Sequence, residues 1–295
     1  MNFGDRLTNA VAQVGVPIGI GLDPHLDRLP KYLQEKYQNK QGEEFFDAAA
    51  EAIVAFNEMA ISAAEGRVAA VKPQFAFYEQ LGSSGWAALE ATCQMAKEAG
   101  LLIIGDAKRG DISSTAAAYA KSILHPEGPL GCDSVTLNPW MGVDVLDPFL
   151  PYCEQYGCGM FVLVRTTNPH SGTLQLHGSP TAANVLSDAL RELGDDRIGT
   201  SGFSPVGVVI GAFAATEAEA LRERLPHSWF LVPGMGAQGG TANQALAGRR
   251  QDGMGSLVVS SRSLLYPKGS DQTFEANPEV FISQKIHEMS SLLRL

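Results

Sequence analysis

A chain of 295 residues, 45% apolar and 18% charged, has the composition of a globular protein and enough hydrophobic material for one large domain or two ordinary ones. Its formal net charge of −10 argues against binding along a nucleic-acid backbone, which needs basic patches, but leaves room for a small anionic substrate held by a few local cations. The opening "MNFGDRLTNA" lacks the basic and apolar regions of a secretory signal, and no apolar run approaches the roughly 18 residues of a membrane span, so a cytoplasmic protein without a membrane partner is expected.

Eight short apolar runs, each ending in polar or turn residues, read as strands. In chain order they are "PIGIGLD" (17–23), "VAAVKPQ" (68–74), "LLIIGDAK" (101–108), "DSVTLNP" (133–139), "GMFVLVRT" (159–166), "VGVVIGAF" (206–213), "WFLVPGM" (229–235) and "SLVVSSRS" (256–263). Helix-like segments lie between them at 43–66, 84–100, 114–124, 181–193 and 216–225, with a short one at 241–248 and an amphipathic one at 277–295. A weaker candidate at 145–157 is interrupted by Pro148 and Pro151. The strand runs are almost continuously hydrophobic, as in parallel sheets covered on both faces. Eight such units predict an α/β fold, a (β/α)8 TIM barrel. A doubly wound sheet is the alternative, but it would place a glycine-rich phosphate turn after the first strand, where "GLDPHLD" stands. No composition shift marks a boundary, so one barrel domain over 1–295 is expected, with 24–42 and 167–180 as decorating loops. The cysteines, Cys93, Cys132, Cys153 and Cys158, form no CxxC and read as ordinary thiols of a reducing compartment.

Barrel active sites are built at the carboxyl ends of strands. Those ends carry, in order, Asp23; Lys72; Asp106, Lys108 and Asp111; Asn138; Arg165, Thr166 and Thr167; Pro233 with the glycine-rich loop behind it; and Ser260, Ser261 and Arg262. The sixth end, "IGAF", is apolar. Asp106 and Lys108 stand two apart in a strand and so share a face, and Lys72 from the neighbouring strand can join them. Opposite neighbours keep each group ionised despite burial, and a lysine so held can give a proton to a carbon centre. The bland alternatives are a salt-bridge network that only closes the barrel, and an Asp23 that merely caps a turn. Arg109 is expected to face solvent or cap a loop, with no role.

The loops after strands seven and eight are the usual phosphate site of this architecture. "VPGMGAQGG" offers accessible backbone N–H groups, Gln238 can donate to a phosphate oxygen, and Arg262 can donate in a fork. HExxH, GxSxG and GxxxxGK[ST] are absent, and the six histidines show no convergent spacing. The residues therefore point to a small phosphate-bearing substrate held over an Asp/Lys cluster, with proton chemistry at its other end.

At this point the sequence resembles the orotidine 5'-phosphate decarboxylase family. "DAKRGDI" (106–112) is similar to its Asp-x-Lys-x-x-Asp signature, and "GLDP" (21–24), "VKPQ" (71–74), "RTTNP" (165–169), "VPGMGAQGG" (232–240) and "SSRS" (260–263) follow its other motifs in order. The length and longer loops look like the larger, bacterial-type branch. The resemblance implies loss of CO2 from orotidine monophosphate to give uridine monophosphate, with no metal and no organic cofactor. Asp106 would press on the substrate carboxylate, and Lys108 would protonate C6. Lys72 would hold the ribose and Asp106, and Asp23 would bind ribose hydroxyls. Thr167 would contact the pyrimidine, and Gln238, Gly239 and Arg262 would grip the phosphate. Asn138 and Pro233 count among the substrate contacts. Asp111, with Ile112 and Thr115, would reach the neighbouring subunit's site, so a homodimer is implied. One departure stands out: His170 follows "TTNP" where a glycine is expected. Two other readings remain at this stage. One is a metal-dependent 3-keto-hexulose-phosphate decarboxylase or synthase of the same superfamily, which needs an acidic ligand near the end of strand two, where only Glu79 lies further on. The other is a catalytically silent, phosphate-binding barrel.

Overall fold

The eight apolar runs close on one another. β1 (Ile18–Leu22), β2 (Ala70–Pro73), β3 (Leu102–Arg109), β4 (Ser134–Leu137), β5 (Gly159–Arg165), β6 (Val206–Ile210), β7 (Phe230–Pro233) and β8 (Ser256–Ser260) pair in parallel, each with the next. β8 returns to β1 through Ile18 opposite Val258 and Ile20 opposite Ser260, which completes the (β/α)8 barrel. The computed structural model describes residues 1–212, 215–236 and 239–294. Among them, no helix is long and apolar enough to cross a membrane.

Strand alternation sorts the core into two shells. Ile18, Ile20, Val71, Ile103, Val135, Val162, Val208 and Val258 face outward and pack under the helices. Ala70, Ile104, Phe161, Val209, Leu231, Leu257 and Val259 fill the interior. The interior is thus a packed core and not a pore, as expected of an eight-stranded barrel.

The first helix, α1 (Phe3–Val14), was not anticipated from the sequence. Asn2 caps it by accepting the Asp5 N–H at 2.8 Å, and Gly15 ends it in the left-handed region. Phe3, Leu7 and Val11, spaced four apart, form one apolar face that joins the interior cluster with Phe161 and Phe203. α1 therefore covers the amino-terminal end of the barrel.

The remaining major helices are α2 (Gly42–Ala64), α3 (Gly82–Glu98), α4 (Ser113–Leu124), α5 (Leu150–Tyr156), α6 (Ala182–Asp195), α7 (Ala215–Arg224), α8 (Ala242–Leu246) and α9 (Pro278–Leu293). The weak candidate at 145–157 is divided: Pro148 lies in a 3-10 segment, Val143–Phe149, and Pro151 occupies the first turn of α5, where its missing N–H costs nothing. α8 is short but carries a complete capping box between Thr241 and Gln244.

Candidate active site

Asp106 is the centre of the carboxyl-terminal rim. It points inward from β3 with its side chain only 7% exposed, a placement a carboxylate tolerates only with strong partners. Lys72 from β2 and Gln74 just beyond it both donate to Oδ2, Gln74 at 2.8 Å. Lys108 and Thr136 of β4 both donate to Oδ1, at 2.6 and 2.8 Å. Burial alone would raise the Asp106 pKa, but the ammonium groups of Lys72 and Lys108 outweigh it and hold the carboxyl well below the usual carboxylate range. Burial likewise works against the Lys72 ammonium, yet Asp106 and then Asp23 more than compensate, so its pKa is raised. Asp106 and Lys72 thus hold each other in their charged forms.

The two lysines differ in access. The Lys72 side chain is 9% exposed and that of Lys108 44%. Lys108 reaches its position by an unusual backbone: its φ is 48°, in the left-handed region. Pairing with β4 shifts register between Gly105 and Arg109, so regular alternation does not by itself bring Lys108 to Asp106. Thr136 fixes the bend, because its Oγ1 accepts the Lys108 N–H at 3.0 Å while donating to Asp106.

A cavity of about 940 Å³ opens above this cluster. Asp23, Lys72, Asp106, Lys108, Asn138 and Pro233 all line it, as sequence reasoning grouped them. A smaller cleft of about 90 Å³ adjoins it, between Asp23, Lys72 and Pro233 on one side and Ser260, Ser261 and Arg262 on the other. β8 and β1 come so close here that a Cβ on Gly21 would lie 2.9 Å from the Ser261 Cβ. Glycine at 21 is what allows the two strand ends to share one rim.

Other expected residues stand elsewhere. Asp111 is half-buried and accepts its own neighbour's N–H, from Ile112, at 2.8 Å, while Ile112 and Thr115 are exposed; none of the three lines the cavity. Thr166 lines the cavity, whereas Thr167 packs against Gly211. Gly239 is exposed in the loop after β7 and donates to Gly236 at 3.0 Å. Gln238 lies outside the described residues. His170 lines the cavity and keeps an ordinary backbone, since Lys108 and Ser113 are the described non-glycine residues with positive φ.

Arg109 needs correction. It neither faces bulk solvent nor caps a loop: its guanidinium pairs with Glu79 and lies over the Tyr119 ring, 5.5 Å from the centroid. Glu79, the acidic residue that a metal-dependent superfamily member would need, is thereby committed to an ion pair off the cavity wall.

Three contributors escaped sequence reasoning. Gln74 and Thr136 hold Asp106, and each stands two residues from a recognised position, Lys72 and Asn138, which was the available signal. Arg165 was seen only as a polar strand end. It pairs with Glu217 and donates at 2.7 Å to both Thr166 O and Ser171 Oγ, which ties down the loop on the far wall of the cavity.

Comparison with known proteins was consistent with this arrangement. The family model described as "Orotidine 5'-phosphate decarboxylase / HUMPS family" matches residues 26–276. The orotidine 5'-phosphate decarboxylase of Rhodopirellula baltica is 40% identical over 273 residues, covering 90% of this chain and 89% of its own. That of Clostridium perfringens is 39% identical over 267 residues, covering 89% of this chain and 88% of its own. The solved structure of Leishmania donovani OMP decarboxylase superposes with a TM-score of 0.73 at 29% identity, covering 99% of this chain and 98% of that one.

Proposed function

The chain belongs to the orotidine 5'-phosphate decarboxylase / HUMPS family, and from that premise we propose that it is a carboxy-lyase converting orotidine monophosphate to uridine monophosphate and CO2 in de novo pyrimidine synthesis. The observation that carries this reading is the ionised Asp106 clamped between two ammonium groups, of which Lys108 has the freer access to the cavity.

In the proposed reaction the substrate carboxylate lies against Asp106, and repulsion between like charges raises the bound ground state. The bond from C6 to the carboxyl carbon breaks heterolytically, CO2 departs, and the electron pair stays on C6. The Lys108 ammonium stabilises that charge as it develops and transfers its proton to C6. The neutral amine left on Lys108 recovers a proton from water. Lys72 holds Asp106 and the ribose, and Asp23 binds ribose hydroxyls. Asn138 and Pro233 complete the walls around the substrate. Thr167 contacts the pyrimidine only by turning from Gly211 toward the cavity, while Gln238, Gly239 and Arg262 hold the phosphate, whose binding energy helps to order the surrounding loops.

The reading includes a cytoplasmic homodimer in which Asp111, Ile112 and Thr115 serve the partner's site. Supporting it, the ends of β3 and β4 meet where Asn138 donates to Arg109 O at 2.8 Å, and the segments beyond them expose Ile112 (49%), Trp140 (73%), Met141 (55%) and Val143 (44%). An apolar rim of this kind fits a subunit contact. Four buried free thiols suit a reducing compartment.

The test follows loss of orotidine monophosphate by absorbance with a chelator present, for wild type and Lys108→Ala. Turnover by wild type and its loss in the variant are expected. No wild-type turnover, or near-normal turnover by the variant, overturns the proposal, as would Mg2+-dependent activity on a ketose phosphate.

A further inference from the structure

Asp23 leaves β1 into a turn that has few ways to hold itself. Pro24 follows it and has no N–H, so the polar backbone groups flanking the proline are the Asp23 carbonyl and the His25 N–H. One hydroxyl satisfies both. Tyr266, which follows the helical turn Arg262–Leu265 behind β8, accepts the His25 N–H at 2.9 Å and donates to Asp23 O at 3.1 Å. Burial pushes the phenol up from its ordinary value, so it remains a donor across the working range.

The ring that carries this hydroxyl is itself immobilised. Tyr266 is 3% exposed and stacks on Phe56 with the planes 8° apart. The Arg28 guanidinium lies 4.6 Å from its centroid and donates to Pro267 O at 3.1 Å. The turn after β1 is thus pinned to the segment after β8 by a rigid aromatic whose one polar atom sits at the Asp23 turn.

The carboxylate so positioned is incomplete. Among the described residues, Asp23 Oδ1 is buried without a hydrogen-bond partner, and Ser261 Oγ is in the same condition. Both residues line the small cleft beside Lys72 and Arg262, and Asp23 also lines the main cavity. A buried acceptor with no donor is costly unless something fills its place, and a ligand hydroxyl is the matching group.

We propose that Tyr266 is a positioning residue that aims Asp23 at a sugar hydroxyl of the substrate and so sets the enzyme's preference for ribose over deoxyribose nucleotides. This inference rests on the reading of the cavity as a nucleotide site. A site built to pair with a hydroxyl rejects the analogue that lacks it, provided the pairing group is held in place.

The experiment measures dissociation constants of uridine monophosphate and of its 2'-deoxy and 3'-deoxy forms, by calorimetry, on wild type, Tyr266→Phe and Phe56→Leu. Tyr266→Phe keeps the ring and its stacking and removes only the hydroxyl. Wild type is expected to favour the ribose form over at least one deoxy form by about tenfold or more. Tyr266→Phe is expected to shrink that ratio to about threefold or less, mainly by weakening the ribose form. Phe56→Leu thins the stack but retains the hydroxyl, and is expected to lower the melting temperature while keeping the ratio. An unchanged ratio in Tyr266→Phe overturns the proposal, as do equal losses in both variants, which would indicate general loosening. The expected ratios in wild type and in Tyr266→Phe, without decarboxylation of orotidine monophosphate by wild type, overturn the functional reading while supporting the role of Tyr266. A wild type that binds none of the three nucleotides overturns both.

Discussion

Lys108 reaches Asp106 through a left-handed backbone, with φ of 48°, at the point where β3 abandons its register with β4. Such a conformation costs a non-glycine residue about 1–2 kcal/mol, and Thr136 holds it in place through the Lys108 N–H. The strain belongs to the backbone, and so it can be separated from the chemistry. Lys108→Gly and Lys108→Ala both remove the ammonium, but only glycine relieves the bend. Lys108→Gly is expected to unfold at higher urea than Lys108→Ala, by about 1 kcal/mol, with both variants inactive. Equal stabilities would mean that the bend carries no strain.

Asp106 ties stability to pH in a defined direction. Its folded pKa lies below its unfolded value of about 3.9, so its contribution is fully present above that value and is lost as pH falls through the folded one. Asp106→Asn leaves Lys72 buried without its main partner, a loss on the order of 3 kcal/mol. The gap in melting temperature between wild type and Asp106→Asn is expected to be flat from about pH 8 to 5 and to narrow below about pH 4. Thermal melts across that range check the sign; a gap that widens on acidification contradicts it.

The loop over the far wall depends on Gln175. Its Oε1 accepts the Thr166 N–H at 2.9 Å and its Nε2 donates to Thr166 Oγ1 at 2.9 Å. Gln175→Ala removes both bonds from a wall of the cavity and leaves the Asp106 cluster untouched. Steady-state kinetics are expected to show KM raised about tenfold with kcat changed less than about threefold. A fall confined to kcat would assign Gln175 to the chemical step instead.

Shared sites make a distinct prediction. Asp111→Ala and Lys108→Ala subunits are each expected to be inactive alone. If Asp111 acts across the dimer, each mixed dimer keeps one intact site, and random pairing of equal amounts should restore about a quarter of wild-type activity. Activity of the mixture no greater than that of its parents would confine Asp111 to its own subunit.

The strands were readable because a parallel barrel buries both faces, and runs such as "VGVVIGAF" carry that signature locally. The charged rim was readable for a related reason: many polar residues at the ends of apolar runs mark the end of a barrel where sites are built. What escaped depends on partners far away in sequence. Arg109 meets Glu79 only after β3 folds beside the helical turn Ala76–Glu79, and nothing within "DAKRGD" announces it. The Thr136 and Gln74 contacts need the register of three strands. The bend at Lys108 is invisible because lysine, unlike glycine, does not advertise positive φ. α1 is a different case: Phe3, Leu7 and Val11 do show helical spacing, but a single narrow stripe near a terminus is weak evidence without the surface it covers.

That stripe has a consequence for biogenesis. α1 docks far along the chain: Asn2 donates to the carbonyls of Arg197 and Phe203, and Asp5 accepts the Ser201 N–H. Its docking ground is therefore translated some two hundred residues later, at a sequence separation of 196 for Asp5 and Ser201. Until that ground is in place the apolar stripe of Phe3, Leu7 and Val11 lacks the surface it covers in the folded protein. Closing so long a loop carries an entropic cost, and the interior cluster that α1 joins also draws on Leu231 of β7 and Leu257 and Val259 of β8, so α1 is expected to dock late in folding.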